Sequence, residues 1–292
     1  MELINCPVCG SDKYVFVSKK RYPDSEYHIV RCKDCDFYYT NPEPSQNELL
    51  EFYDSEYLGN HTNVWHQYED KLNKEIAELL INEGVKSNLD LGSGQGRFVN
   101  ILSNYGIESV GVEPVKDSCS IAKEKYGLEL HNKTCEQYLI ECNRKFNSVT
   151  MLNVLEHLPN PSNILKLTNK CLINGGKLII IVPNVDFTIF LGRIRGLIGF
   201  KDKYMLESKK FSQQGFDPPI HLSSFNKNSL VKLLVKNNFE IIKMTNAPVI
   251  KSSLLMSAFK NSVFLIGKLI EIFTLNKTVF GYSLLSISKT KD

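Results

Sequence analysis

The apolar positions of this chain change period along its length, and the changes mark out its parts. Near the N-terminus two short runs, Tyr14–Val17 and Tyr27–Val30, predict the outgoing and returning strands of a hairpin. Phe37 to Pro44 follows as a linker punctuated by Pro42 and Pro44. Ser45, with Glu48 three residues on, has the form of a helix-starting capping box. Aromatic residues crowd the next stretch: Phe52, Tyr53 and Tyr57, then Trp65, His66 and Tyr68. From Asp70 to Ile81 the spacing of Leu72, Ile76, Leu79 and Leu80 is helical. Short apolar runs then alternate with helix-like stretches: Leu89–Leu91, Ser109–Glu113, Leu128–Leu130, Ser148–Leu152, Lys177–Val182, Glu240–Met244 and Ser283–Ser288. This alternation predicts an α/β fold, with seven strands in a largely parallel sheet and helices on both faces. Ser229–Asn237 reads as one of the late helices.

Two apolar stretches stand outside that alternation. Phe187–Phe200 sets Arg193 and Arg195 among bulky apolar residues. Within Ser252–Phe273, helical spacing places Leu255, Phe259, Val263, Ile266, Ile270 and Phe273 on one face, with Ser257, Lys260, Asn261, Lys268 and Glu271 elsewhere. A membrane surface or a lipid-linked substrate is one use for such helices. The favoured reading is a lid for the first and a helix packed on the core for the second.

Composition fits a globular protein. Of 292 residues, 42% are hydrophobic and 23% charged, enough for a sizeable core. A net charge of +3 is too balanced to argue for a nucleic-acid partner. The N-terminus carries no charged-then-apolar leader pattern, and no run of apolar residues is long enough to span a bilayer, so the expected location is cytoplasmic.

Four of the eight cysteines form two knuckles, Cys6-Pro-Val-Cys9 and Cys32-Lys-Asp-Cys35, separated by 22 residues that hold the hairpin. Paired C-x2-C knuckles can bring four thiolates onto one tetrahedral Zn²⁺, and four cysteine ligands leave no open position, so the metal is expected to be structural. Two disulfides would suit an oxidising compartment. Cys119, Cys135, Cys142 and Cys171 show no ligand spacing and read as ordinary thiols.

The chemistry concentrates in Asn88-Leu-Asp-Leu-Gly-Ser-Gly-Gln-Gly-Arg-Phe98. A strand runs into Gly92, Gly94 and Gly96, which allow a sharp turn and close approach of a ligand. The next strand ends in Glu113, about where a nucleotide-binding βαβ unit places an acid on the ribose hydroxyls. The glycine spacing is not that of the dinucleotide fingerprint. It resembles motif I of the class I S-adenosylmethionine (SAM) methyltransferases. Phe146-Asn-Ser-Val-Thr-Met-Leu-Asn-Val-Leu-Glu-His-Leu-Pro159 resembles the fourth-strand motif of ubiquinone O-methyltransferase-like and sugar methyltransferases, with Asn147 where that family usually has Asp. Pro218-Pro-Ile-His221 resembles an acceptor-side element of the same group, and Asp217-Pro-Pro reads as a loop, not as the tetrad of adenine amino-methyltransferases. The two knuckles with Asn41-Pro-Glu-Pro44 and Phe52-Tyr-Asp-Ser-Glu-Tyr57 resemble the zinc-binding domain that precedes sugar methyltransferases.

The resemblance implies a Rossmann-like SAM-methyltransferase fold behind a small zinc ribbon: ribbon 1–42, helical cap 43–84, and methyltransferase domain 85–292 with a lid at about 185–220. It implies cofactor contacts from Asp90, Gly92, Ser93, Gly94, Gly96, Glu113 and Asn153, with zinc held by Cys6, Cys9, Cys32 and Cys35. His221 is the expected base, His157 an orienting residue or the alternative base, and Glu156 a neighbour at the same strand end. Tyr53 and Tyr57 are placed to close over the site. The expected reaction is O-methylation of a sugar, a nucleotide sugar or a sugar-like acceptor. Alternatives are a lipid- or quinone-like phenol, an NAD-dependent nucleotide-sugar enzyme, and a zinc-ribbon nucleic-acid binder.

Overall fold

A computed structural model describes residues 2–22, 25–45, 48–49, 63–197, 218–219, 221–247, 254–275 and 277–291. The N-terminal hairpin is β1 (Tyr14–Tyr22) against β2 (Ser25–Cys32), antiparallel, with an irregularity between Phe16 and Ser18. The stretch expected as a linker contributes a third strand, β3 (Tyr38–Thr40), paired to β2. Its three residues are all buried, which a solvated linker would not be. Ser45 and Glu48 make the reciprocal capping bonds: Glu48 N donates to Ser45 Oγ at 3.3 Å, and Ser45 N donates to Glu48 Oε2 at 2.8 Å. Tyr53 and Tyr57 lie outside the described residues, as do the side chains of Trp65, His66 and Tyr68.

Helix α1 (Asn63–Asn82) leads into β4 (Ser87–Leu91), α2 (Arg97–Asn104), β5 (Glu108–Val112), α3 (Lys116–Tyr126), α4 (Cys135–Glu141), β6 (Phe146–Leu152), α5 (Pro161–Cys171) and β7 (Leu172–Pro183). After α6 (Val185–Leu197) come the two-residue β8 (Ser223–Ser224), α7 (Lys227–Lys236), β9 (Phe239–Asn246), α8 (Leu254–Phe273) and β10 (Ser283–Thr290). The main sheet has the order β5-β4-β6-β7-β10-β9. Its first four strands are parallel, and β10 runs antiparallel between β7 and β9.

Six described strands form this sheet, not seven. Leu128–Leu130 makes no ladder, and only His131 bridges to Val112. The Leu128 and Leu130 side chains lie over Gly96, whose added Cβ would meet them at 3.2 and 3.6 Å. The tie to β5 comes just after them: His131 exchanges backbone bonds with Gly111 and Glu113, and Asn132 Nδ2 donates to the carbonyls of Glu113 and Pro114 at 3.1 and 2.8 Å.

Period-two alternation on β7 builds both layers: Leu178, Ile180 and Val182 enter one cluster, and Ile179 and Ile181 the other. The second cluster receives Leu72, Ile76 and Leu80 from α1, each worth roughly 1.5–3 kcal/mol on burial. The first cluster includes Cys6, Val8, Cys32, Cys35, Phe37 and Tyr39 together with Leu89, Val149 and Leu230, so ribbon and sheet share one core. β8 joins β3 antiparallel, and Thr40 N donates to Leu222 O at 2.8 Å. Lys232 Nζ and Lys236 Nζ on α7 donate to the carbonyls of Asp34 and Val8 beside the knuckles.

Asn147, where the resembled motif has Asp, serves as an uncharged acceptor. Its Oδ1 accepts from Lys86 N, Ser87 N and Ser87 Oγ at 3.0–3.1 Å, a task that needs an acceptor oxygen and no ionised group.

The face assigned to α8 is buried only in part. Val263 is buried and Ile270 half-buried, whereas Ile266 and Phe273 are exposed. Glu271 points inward instead, and the side chains of Leu255 and Phe259 lie outside the described residues. A local polar contact overrides the apolar pattern: Glu271 accepts from Thr245 Oγ1 at 2.6 Å and from Asn246 N, and pairs with Lys268 at 3.0 Å. In the stretch expected as a lid, α6 buries Phe187 and leaves Phe190 partly exposed; residues 198–217 and Ile220 lie outside the described residues. No described helix is long and apolar enough to cross a membrane.

Candidate active site

The glycine turn follows β4 directly. Gly92 has φ +70°, and a Cβ there would lie 2.5 Å from Val154 Cγ2, so the turn is pressed against the segment that leaves β6. Gly94 also has positive φ, but its Cβ position faces open space. A ligand can therefore reach the loop backbone at Gly94, while Gly92 is fixed by packing. Gly96 ends the loop as the residue before α2.

Around this turn the polar groups are paired. Glu113, 4% exposed, accepts from Gly94 N through Oε2 at 2.8 Å and from Val115 N through Oε1 at 3.0 Å. Burial raises its pKa, and the two backbone donors oppose that shift. Beneath the turn runs a buried chain across β4 and β6. Ser148 Oγ donates to Asn88 Oδ1 at 2.7 Å, Asn88 Nδ2 to Thr150 Oγ1 at 3.1 Å, and Thr150 Oγ1 to Asp90 Oδ1 at 2.6 Å. Burial pushes the Asp90 carboxyl up to about 7, against the pull of the Thr150 bond and with a further push from Glu113. Ser93 is the exception, with a buried Oγ that has no partner.

The second half of the site begins where β6 ends. Asn153 is exposed, takes φ +57°, and donates its N–H to Ile181 O at 2.9 Å, turning the chain into a short 3₁₀ turn at Leu155–His157. That turn carries Glu156 and His157. His221 arrives beside them from the segment ahead of β8, and the His157 and His221 rings meet edge to face with centroids 4.7 Å apart. Leu222 N donates to Glu156 O at 2.9 Å, which locks the two segments together. The donor atoms of Glu156, His157 and His221 lie within 4.8 Å of one another. Neither Glu156 carboxylate oxygen has a hydrogen-bond partner, and neither does His221 Nδ1. Burial drives the Glu156 carboxyl up to about 8. It drives His221 well below the usual histidine range, helped by positive charge from His157 and Lys20. His221 is thus held neutral, the form that accepts a proton.

The expected site residues fall into three groups in space. Asp90, Gly92, Ser93, Gly94, Gly96 and Glu113 gather at the carboxyl ends of β4 and β5. Asn153, Glu156, His157 and His221 gather at the end of β6. Gly92 against Val154 joins these two groups. The third group is the knuckles: Cys6 Sγ lies 3.5 Å from Cys35 Sγ, Cys9 Sγ lies 3.5 Å from Cys32 Sγ, and all four sulfurs fall within 4.8 Å. Tetrahedral Zn–S bonds of about 2.3 Å put sulfurs roughly 3.8 Å apart, so the thiols fit one ion. Cys6 is held down at about 5, chiefly by the Cys35 thiol beside it. The reading from residues did not find the Ser148–Asn88–Thr150–Asp90 chain. Its signal was present, because polar residues at alternate positions of two adjacent apolar strands must face one another.

A profile of the methyltransferase domain family matches residues 64–244, more than half of the chain. Among curated proteins, the chain is 27% identical over 144 residues to the mitochondrial ubiquinone biosynthesis O-methyltransferase of Dictyostelium discoideum, covering 44% of each chain. It is 29% identical over 128 residues to the ubiquinone biosynthesis O-methyltransferase of Coxiella burnetii, covering 42% of this chain and 54% of that one. The chain thus spans about half the length of these curated relatives. Among solved structures, the 1,6-didemethyltoxoflavin-N1-methyltransferase of Burkholderia thailandensis, with bound S-adenosylhomocysteine, aligns over 94% of this chain and 100% of its own, with TM-score 0.54 and 13% identity. The magnesium protoporphyrin IX methyltransferase of Synechocystis PCC 6803 aligns over 84% of this chain and 99% of its own, with TM-score 0.52 and 14% identity. At these identities the structural likeness speaks for the fold. With the glycine turn, Glu113 and the sheet order, the family match places the chain in the methyltransferase domain family, as a class I SAM-dependent member.

Proposed function

We propose that this protein transfers a methyl group from SAM to a hydroxyl oxygen of a small-molecule acceptor. The observation that carries the reading is the meeting of two unlike half-sites through Gly92 and Val154: a paired glycine turn with Glu113, and a cluster of Glu156, His157 and His221 in which both Glu156 carboxylate oxygens and His221 Nδ1 have no hydrogen-bond partner.

Glu113 is assigned to the ribose hydroxyls, since an ionised carboxylate retains acceptor capacity beyond its two backbone bonds. The open side of Gly94 and the partnerless Ser93 hydroxyl are assigned to the methionine portion, with Asn153 and Asp90 at the border. Bound SAM supplies a methyl group activated by a sulfonium. What remains for the chain is to align the acceptor oxygen and remove its proton. His221 takes that proton as a neutral imidazole and His157 orients it, with the Glu156 carboxyl beside them, its donor atom within 4.8 Å of theirs. Cys6, Cys9, Cys32 and Cys35 are assigned to one structural Zn²⁺ that holds residues 1–42 in shape. A helical cap at 43–84 and a lid at 185–220 complete the proposed division of the chain.

The acceptor is read as a sugar or sugar-like hydroxyl, a reading supported by the ribbon's resemblance to the domain that precedes sugar methyltransferases. A quinone-like phenol is the second reading, favoured by the names of the curated relatives. The test is a methyl-transfer assay with SAM and mass-spectrometric detection, offered nucleotide sugars in one arm and polyprenylated catechols in the other. Methylated product in either arm decides between the acceptors. Failure of SAM to raise the melting temperature would remove the cofactor assignment itself. Elemental analysis for one zinc per chain, lost in Cys6→Ser and Cys35→Ser, tests the ribbon separately.

A further inference from the structure

We propose that the outward face of α8, with the turn that follows it, seats on an anionic lipid surface. The proposal goes beyond the reaction and holds for either acceptor. The described part of the helix divides its residues sharply. Val263 and Glu271 face the protein, and the outward arc carries Leu265, Ile266, Leu269, Ile272 and Phe273 with no charged residue among them. Phe273 is 84% exposed, and Leu275, just past the helix end, is 82% exposed. A face of this kind in water forgoes the free energy that burial of its apolar area would release.

Charge selects the occupant. The single acid of the helix, Glu271, is 3% exposed and turned inward onto Thr245 and Asn246, so no carboxylate faces outward from Leu254 to Leu275. Within the helix, Lys268 is turned onto Glu271 and balances it. Two further lysines are exposed: Lys277 just beyond Leu275, and Lys243 on β9, the strand that α8 packs on. An apolar strip accompanied by exposed lysines and stripped of acids matches a bilayer interface with anionic headgroups. No described helix can cross the bilayer, so the contact is peripheral. Phe190 of α6 meets Phe280 edge-on with centroids 5.0 Å apart, which ties α6 to the segment between α8 and β10.

The experiment uses the full chain in vesicle flotation, with phosphatidylcholine alone and with about one third phosphatidylglycerol. The wild type is expected to float with the anionic vesicles, less with the neutral ones, and less again as salt rises. Phe273→Asp should lower the bound fraction roughly tenfold or more, and Leu275→Asp, outside the helix, should do the same without burdening helix stability. Both variants should keep the wild-type melting temperature. Equal flotation of wild type and variants overturns the proposal, as does no flotation of the wild type. A dimer seen in sedimentation that Phe273→Asp splits, without lipid binding, would assign the face to a second copy and also overturn it.

Discussion

The two halves of the site treat buried polar groups in opposite ways. At the glycine turn, both Glu113 oxygens have backbone donors, Asp90 has Thr150, and the chain behind them continues to Ser148. At the end of β6, both Glu156 oxygens and His221 Nδ1 are buried without a hydrogen bond, and His157 Nε2 stands 4.0 Å from Glu156 Oε1. An unsatisfied buried polar atom costs about 1–3 kcal/mol. The first half is therefore assembled in advance, a rigid seat whose shape does not wait for the ligand. The second half carries an unmet hydrogen-bonding demand, which a hydroxyl-bearing acceptor would satisfy. A protein built this way should lose cofactor affinity and turnover to separate sets of substitutions.

The largest effect is expected at His221. If the proposed base is removed, His221→Ala should lower turnover by roughly 10²–10⁴-fold, the usual range for general-base catalysis. SAM affinity should change little, because among the described residues no hydrogen bond links His221 to the glycine turn. Stability should hold or rise, since the substitution deletes a partnerless buried nitrogen. Near-normal turnover would shift the role to His157 or to no base at all.

Asp90 gives the next effect, visible as pH dependence. Its carboxyl is raised from the ordinary 3.8 to about 7 in the fold. Between those values the unfolded chain has released the proton and the folded one retains it, so stability is fullest below pH 4 and falls as pH rises toward 7. The group's contribution to this loss is on the order of 2–4 kcal/mol. Asp90→Asn should flatten the melting-temperature profile over that window. An unchanged slope would show that another group titrates there.

Much of this arrangement could be read from the residues. Strand–helix alternation and the glycine spacing located Gly92–Gly96 and Glu113, because both are local patterns with a fixed chain separation. The knuckles were legible for the same reason. The β3–β8 pairing was not, because Tyr38–Thr40 and Ser223–Ser224 are too short to show a period, and their partner lies more than half the chain away. The approach of His221 to Glu156 therefore has no local signal of its own, and only a family resemblance pointed both residues toward the same sheet edge. On α8 the apolar pattern placed Val263 rightly but set Ile266 and Phe273 on the same face and Glu271 elsewhere, since it cannot weigh three polar partners waiting for one glutamate.

Gly92 tests the seam between the halves. Gly92→Ala adds a Cβ 2.5 Å from Val154 Cγ2 at a backbone φ of +70°. Overlap and backbone strain together should cost roughly 2–4 kcal/mol of stability, with a weaker SAM-induced melting shift. Val154→Ala in the same chain should return the steric share and leave about 1 kcal/mol of left-handed strain. If the double variant is as unstable as the single one, Val154 is not what holds the turn against the β6 segment.

Glu113 carries the smallest expected effect and the sharpest test of preorganisation. Its two oxygens already accept from Gly94 N and Val115 N, so the carboxylate shapes the turn in addition to its proposed role on the ribose. Glu113→Ala removes both functions and should weaken SAM binding by roughly 1.5–3 kcal/mol. Glu113→Gln keeps one carbonyl acceptor but turns an amide donor toward the second backbone N–H, so its loss should approach that of alanine. A ribose role alone would predict a milder glutamine variant, because an amide can still bond a hydroxyl. Calorimetric titration of SAM into both variants separates the two. Equal loss marks Glu113 as the residue that sets the loop, a clear advantage for glutamine marks it as a ribose contact only, and unchanged affinity in both removes it from the site.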